Sequence, residues 1–174
     1  MPYDDPFRLR VMKVIAAAIK TVTPENEYNL DLSDYEDADT GKTRERVFRG
    51  RTIFGDDDPV PMVVILEDPR APDGPPQPQH ASAHISVMRL LVQGFVADDK
   101  DHPLDPAYHA SAAIIKALVL EKKRLDLFGM KGRIQSMHIE TPVHRPADNE
   151  VSSQAYFVFG LRLTLVEKAD DPFF

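Results

Sequence analysis

The chain has no cysteine, which excludes disulfides and every cysteine-based metal or redox site. It has no apolar run near the ~20 residues that a membrane-spanning helix needs. It has no surplus of positive charge either. Lys and Arg number 21 against 28 Asp and Glu, a net charge of −7, which disfavours nucleic-acid binding by overall charge. The opening MPYDDPFRLR is acidic and too polar for a secretory signal. No internal repeat is visible. These absences point to a soluble, cytoplasmic product without a membrane partner.

What is present suits one globular domain spanning residues 1–174, with 43% hydrophobic residues. The clearest signal lies near the end, in Ser153 to Glu167. Ala155, Phe157, Phe159, Leu161, Leu163 and Leu165 alternate with Tyr156, Val158, Gly160, Arg162, Thr164 and Val166. Strict alternation predicts a strand, since a helix would scatter these residues around all sides. Fully extended it would span roughly 50 Å, so it either bends, with Gly160 the natural bulge position, or runs out beyond its own domain. Its second face is half apolar and calls for a partner subunit.

The rest is organised around it. Asp5-Pro6 and Asp105-Pro106 are helix starts, with Asp expected as N-cap and Pro at the first helical position. Phe7, Val11, Ile15, Ile19 and Val22 form the buried stripe of a helix from Pro6 to about Thr21. Ala107, Ala110, Ile114, Ala117 and Leu118 do the same for a helix reaching about Leu125. Strands are expected at Tyr28–Leu32, Arg46–Phe54, Pro61–Glu67, His84–Ala97 and Arg133–Glu140. The long His84–Ala97 strand, with Arg89 and Gln93 marking one face, should pair with the last strand. Ser33–Thr43, the five-proline stretch Pro69–Pro78 and Thr141–Glu150 read as loops. The fold class is α+β: a mostly antiparallel sheet, two principal helices packed on it, and a long C-terminal strand.

Motifs for chemistry fail on spacing or context. Gly41-Lys42-Thr43 resembles the end of a phosphate loop, but Glu36 stands where the first Gly is needed. His80 and His84, His102 and His109, and His138 and His144 fall in no ligand frame. Asp56 to Asp58 lacks the alternating ligands of a calcium loop. No serine has a nucleophile-elbow context, and no second acidic cluster joins Glu67 and Asp68. The expectation is therefore no catalytic residue, no cofactor and no metal site. Arg44, Arg46, Arg49 and Arg51 form the one basic cluster. It reads as edge protection, or as a contact to an acidic partner or nucleic acid, with Arg49 and Arg51 on one strand face.

The order of these elements carries a resemblance. A capped helix leads into Arg-Val-Phe-Arg-Gly-Arg. The strand PVPMVVILEDP follows, then the long VMRLLVQGFVADD with its acidic turn, the second Pro-started helix, and AYFVFGLRLTL. Over nearly the whole chain this resembles the tail terminator, or tail-completion, proteins of long-tailed bacteriophages. The resemblance implies a virion protein of the tail and neck, assembled in the host cytoplasm. It implies a homo-oligomeric ring, a hexamer, that stops polymerisation of the tail tube. Its partners would be the tube protein, a neck or head-completion protein, and the sheath where a tail has one. DNA would pass through the ring without specific binding, repelled by acidic loops such as Asp98 to Asp101 if they line the channel. Other readings are a head-completion protein of similar fold and, from a different class, a small cytoplasmic enzyme. Interface residues expected from the pattern are Arg49, Arg51, Tyr156, Val158 and Val166. Phe173 and Phe174 join them as an anchor that Pro172 keeps from folding back.

Overall fold

The computed structural model of the chain describes residues 4–53, 58–69, 83–147, 152–168 and 170–173. Its elements run α1 (Phe7–Lys20), β1 (Tyr35–Glu36), β2 (Thr43–Arg44), β3 (Val47–Arg49), β4 (Met62–Glu67) and β5 (Ala83–Val96). After these come α2 (Asp105–Lys122), β6 (Ile134–Ile139), β7 (Val143–Arg145) and β8 (Ala155–Lys168). The fold is α+β, with a mostly antiparallel sheet ordered β3-β4-β5-β8-β6 and β7 also paired to β8.

The centre of the sheet is the ladder of β5 on β8, antiparallel from Ala83↔Lys168 to Val96↔Ala155 without a register shift. A bulge at Gly160 is therefore absent. Gly160 faces Leu91 in regular pairing, and the one irregularity lies in β6, between Ile134 and Ser136. Gly160 serves a close approach instead. The Glu140 carboxylate lies where a Cβ would sit, 2.3 Å from that position. Gly94 has the same use on the other face, where the Phe157 ring comes within 2.2 Å of the Cβ position. A strand glycine opposite an aromatic leaves the ring room to lie flat on the backbone.

Both helices cover one face of the sheet. The expected stripes are buried as written, including Phe7, Val11, Ile15 and Ile19 of α1 and Ala107, Ala110, Ile114 and Leu118 of α2. They meet Phe157, Phe159, Leu161, Leu163 and Leu165 of β8 and Met88, Leu90 and Val92 of β5 in one continuous core. Several of these side chains are wholly buried, and each contributes roughly 1.5–3 kcal/mol of hydrophobic transfer energy.

The helix starts differ from expectation by their caps. Pro6 is the residue before α1, and no side chain caps it. Asp5 pairs with Lys13 instead. The orphan N–H of Phe7 donates to the Pro172 carbonyl at 2.8 Å, so the C-terminal segment closes the first turn that the sequence assigned to Asp5. At α2 the residue before the helix is Leu104, and Asp105 lies inside the first turn. The helix ends at Lys122 rather than near Leu125, whose side chain is fully exposed.

Other segments depart further. Tyr28–Leu32 forms no strand. It follows a 3-10 turn at Pro24–Asn26 and Glu27 in the left-handed region (φ 64°). Leu32 is fully buried, and its N–H donates to the Val22 carbonyl at 2.8 Å. The apolar residue is buried by plugging the end of α1, not by sheet pairing. The polar stretch 33–43 contains a hairpin, with Tyr35↔Arg44 and Glu36↔Thr43 paired across a turn in which the Asp37 carboxylate accepts from the N–H groups of Asp39 and Thr40. A self-bonding Asp turn supports such a hairpin without apolar residues. The expected strand Arg46–Phe54 shortens to β3, because Gly50 adopts φ 73° and turns the chain away. β3 then runs parallel to β4, the one parallel pair among the described residues, through the connection 50–61, about the dozen residues that a parallel crossover needs. The proline-rich stretch after Pro69, Asp56, Asp57 and the end of the 141–150 loop lie outside the described residues.

Candidate assembly surface

Opposed residues in an antiparallel ladder point to the same side, so the register of β5 on β8 sorts every side chain. The face away from the helices carries Ile85↔Val166, Val87↔Thr164, Arg89↔Arg162, Leu91↔Gly160, Gln93↔Val158 and Phe95↔Tyr156. From β7, Val143 joins it opposite Val158 and Arg145 opposite Tyr156. From β4, Met62 and Val64 join it opposite Phe95 and Gln93.

This face is graded from one end to the other. At the Phe95 end it is closed, with Met62, Val64 and Phe95 all buried and the Tyr156 ring 6.0 Å from that of Phe95. At the other end it is open. Ile85 is 55% exposed and Val87 36%, while Val143, 50% exposed, lies on the outer edge opposite Val158, toward the Phe95 end. β-branched apolar side chains on an open, regular sheet are costly to leave in water, and such patches mark interaction sites.

The charges on this face are mostly positive. Arg89, Arg145, Arg162 and Lys168 stand against Glu140, whose Oε1 accepts from Arg162 Nη2 at 3.0 Å. On a chain of net charge −7, the open face is locally basic.

The expected interface residues separate into three places. Tyr156, Val158 and Val166 share the side of β8 away from the helices, Tyr156 and Val158 toward the closed end and Val166 at the open end, all three partly buried. Arg49 and Arg51 do not join them, nor each other. Arg49 is exposed on β3, at the sheet edge, on the helix side with Ile65. Arg51 lies past the Gly50 turn, with its guanidinium 4.6 Å over the Phe48 ring and Nη2 bonded to Asp58. Phe173 lies at the start of α1, 46% exposed, and its carbonyl accepts from Arg10 Nη2 at 2.8 Å. The expectation that Pro172 prevents fold-back is thus overturned for the backbone, which caps and clamps α1. Phe174 lies outside the described residues.

Several residues at these surfaces were missed by the sequence reading. Ile85 and Val87 were legible as alternation partners of Arg89. Val143 was hidden in a segment read as loop, where β7 adds three residues to the β8 edge. The pair Ser111 and His144 joins an element read as helix to one read as loop. His144 Nε2 lies 2.8 Å from Ser111 Oγ, and its ring stacks on Tyr108 at 3.7 Å. Ser111 Oγ also lies 3.0 Å from the Tyr108 carbonyl, within donating distance of it. Burial pushes the His144 pKa down, favouring the neutral ring. The pair fastens β7 to α2 beside an apolar groove of about 570 Å³ lined by Ala112, Ile115, Val119 and Pro142.

A second fastening holds α1 to the end of β8. Arg8 donates Nε to Glu167 Oε1 and Nη2 to Oε2, both at 2.9 Å, and Ser86 Oγ donates to the same carboxylate. Burial opposes the charge on Glu167, yet the bonds from Arg8 and Ser86 hold its pKa below the ordinary value. Bidentate geometry of this kind fixes orientation as well as charge.

Among the described residues, no group of three or more His, Asp or Glu is placed to hold a metal ion, and no helix is long and apolar enough to cross a membrane. No protein-family model matches the chain, and no curated protein is significantly similar to it.

Proposed function

We propose that this chain is a structural subunit that assembles with copies of itself, as the tail terminator of a long-tailed bacteriophage. In this reading a ring of six closes the head-proximal end of the tail tube, stops its polymerisation and presents a surface to the neck or head-completion protein. The DNA passes through the ring without specific binding. The observation that carries the reading is the open half of the central ladder, where Ile85, Val87 and Val166 are displayed on two strands of 14 residues each. Strands of that length are more than twice the usual about 5–6 residues, and a solvent-facing apolar ladder calls for cover that one copy does not supply. The order of elements, with one capped helix before the sheet and one between its two longest strands, supports the tail-terminator reading among self-assembling subunits.

The test is assembly of tails with and without the protein, read by electron microscopy. With it, tails of uniform length joined to heads are expected. Without it, tails of uncontrolled length that fail to join heads are expected. Normal-length, head-joined tails made without the protein would refute the reading.

A further inference from the structure

The open end of the sheet face has an apolar centre, Ile85, Val87 and Val166, with Arg89, Arg162 and Lys168 around it. A surface of opposite character lies among the described residues. The turn between β5 and α2 displays Leu104, 39% exposed, among Asp98, Asp101 and Asp105. These three carboxylates enter no ion pair among the described residues. The turn is already ordered. Asp99 accepts from the N–H groups of His102 at 3.1 Å and Asp101 at 2.9 Å, and those bonds hold its own carboxyl below the ordinary range. An ordered turn loses less entropy on docking than a loose one.

We propose that the acidic turn 98–105 of one copy docks on the open sheet face of the next, with Leu104 against Ile85 and Val87 and the aspartates against the basic rim. The inference rests on the reading of the chain as a self-assembling subunit and names the two surfaces that would meet. The occupant is a second copy because the surfaces are complementary in charge and in apolar content, and because they lie at opposite ends of the long strand β5. The turn follows the last residue of β5 and the patch lies near its first. Val87 and Val96 are nine residues apart along one extended strand, roughly 30 Å at about 3.3 Å per residue. A contact between unlike surfaces made in one direction from copy to copy is heterologous, and such contacts build closed rings or open filaments. The exposed leucine and the β-branched patch favour a protein surface over a nucleic acid, which would be met by the cations alone. The turn is then engaged between subunits, in place of the channel-lining role that its acidity suggests from sequence.

The absence of native cysteine makes the test direct. Val87→Cys and Leu104→Cys are made as two separate proteins, mixed under mild oxidation, and run on a non-reducing gel. The mixture is expected to give a cross-linked dimer that each protein alone does not. Self-cross-linking of either single variant without the mixed product would overturn the proposal in favour of like-on-like packing, and no cross-link in any sample would overturn it outright. A charge exchange provides the second arm, with association read by sedimentation. Lys168→Glu and Asp101→Lys are each expected to weaken self-association about tenfold, and the double variant to recover most of the loss. No recovery in the double variant, with both single variants folded by circular dichroism, would overturn the pairing. Retention of DNA by the wild type that Lys168→Glu abolishes, without any effect on self-association, would overturn it by assigning the face to nucleic acid. Failed cross-linking beside overlong tails in the protein's absence refutes the docking and leaves the terminator reading standing. Successful cross-linking beside normal tails does the reverse.

Discussion

The two faces of the β5–β8 ladder share the same strands, the same register and the same backbone hydrogen bonds. They differ in what lies against them. On the helix side, Phe157, Leu161, Leu163 and Leu165 are at most 1% exposed. One residue along, on the other side, Val158, Thr164 and Val166 keep part of their surface in water, and Ile85 keeps more than half. Apolar alternation therefore says that a strand exists and which residues share a side. Which side is covered depends on where the helices attach. Here Arg8 on Glu167 and His144 on Ser111 fasten the helices to one side. The other side keeps its apolar residues without that cover, and in this account they serve assembly.

Substitutions on the two sides of β8 sharpen the contrast most. Phe157→Ala removes a fully buried ring that lies on Gly94 and should cost about 3–5 kcal/mol, seen in chemical denaturation of the dilute protein. Val166→Asp, on the other side at the open end, should leave the monomer folded with a loss of roughly 1 kcal/mol or less, while abolishing assembly. Equal destabilisation by both would remove the distinction between the faces.

Gly160→Ala should cost about 1–3 kcal/mol, the usual range for an inserted methyl. The Glu140 carboxylate must move from the Cβ position, and its bond to Arg162 is lost with it. The cost should fall toward the lower end, since the group in the way is the far end of a flexible side chain. Removing that side chain first, with Glu140→Ala, should erase most of the penalty of Gly160→Ala in a double-variant cycle.

Acid should weaken the two fastenings in sequence. His144 has a folded pKa below its ordinary 6.5 because burial disfavours the cation. Its contribution is therefore present above about 6.5 and is lost as pH falls from there through the folded value. Glu167 is likewise depressed from 4.5, against its burial, by Arg8 and Ser86, so its contribution persists to lower pH and disappears as pH falls through the folded value. Thermal melts from pH 7.5 downward should show a first loss that His144→Gln removes and a second, more acidic loss that Glu167→Gln removes. A melting temperature flat between pH 7.5 and 5 in the wild type would mean that the His144 contact contributes nothing.

Much of this was legible in the sequence. Both helix stripes, the long paired strands and the α+β class follow from periodicities that the burial pattern repeats. What was not legible has specific physical causes. The cap of α1 comes from the carbonyl of Pro172, more than 160 residues away, while local sequence offered Asp5. β1 and β2 are held by Asp37 and its turn, without the apolar alternation that announces a strand. β7 is three residues long and exists because β8 extends past β6 and offers an edge. For the candidate surface, the β8 half was readable in Tyr156, Val158 and Val166. The β5 half was readable too, but the polar side chains of Arg89 and Gln93 drew attention away from Ile85 and Val87. Arg49 and Arg51 were misplaced together because Gly50, read as part of a strand, ends it.

The proposed assembly requires that the open face be covered when the protein works. A single thiol at Ile85→Cys, the first in a chain without cysteine, reports on this directly. In the dilute protein it should react with a maleimide as fast as a free thiol. On isolated tails it should be protected by at least tenfold, while a control thiol at the fully exposed Leu125 reacts equally in both. Equal labelling of position 85 in the free protein and on tails would contradict the claim.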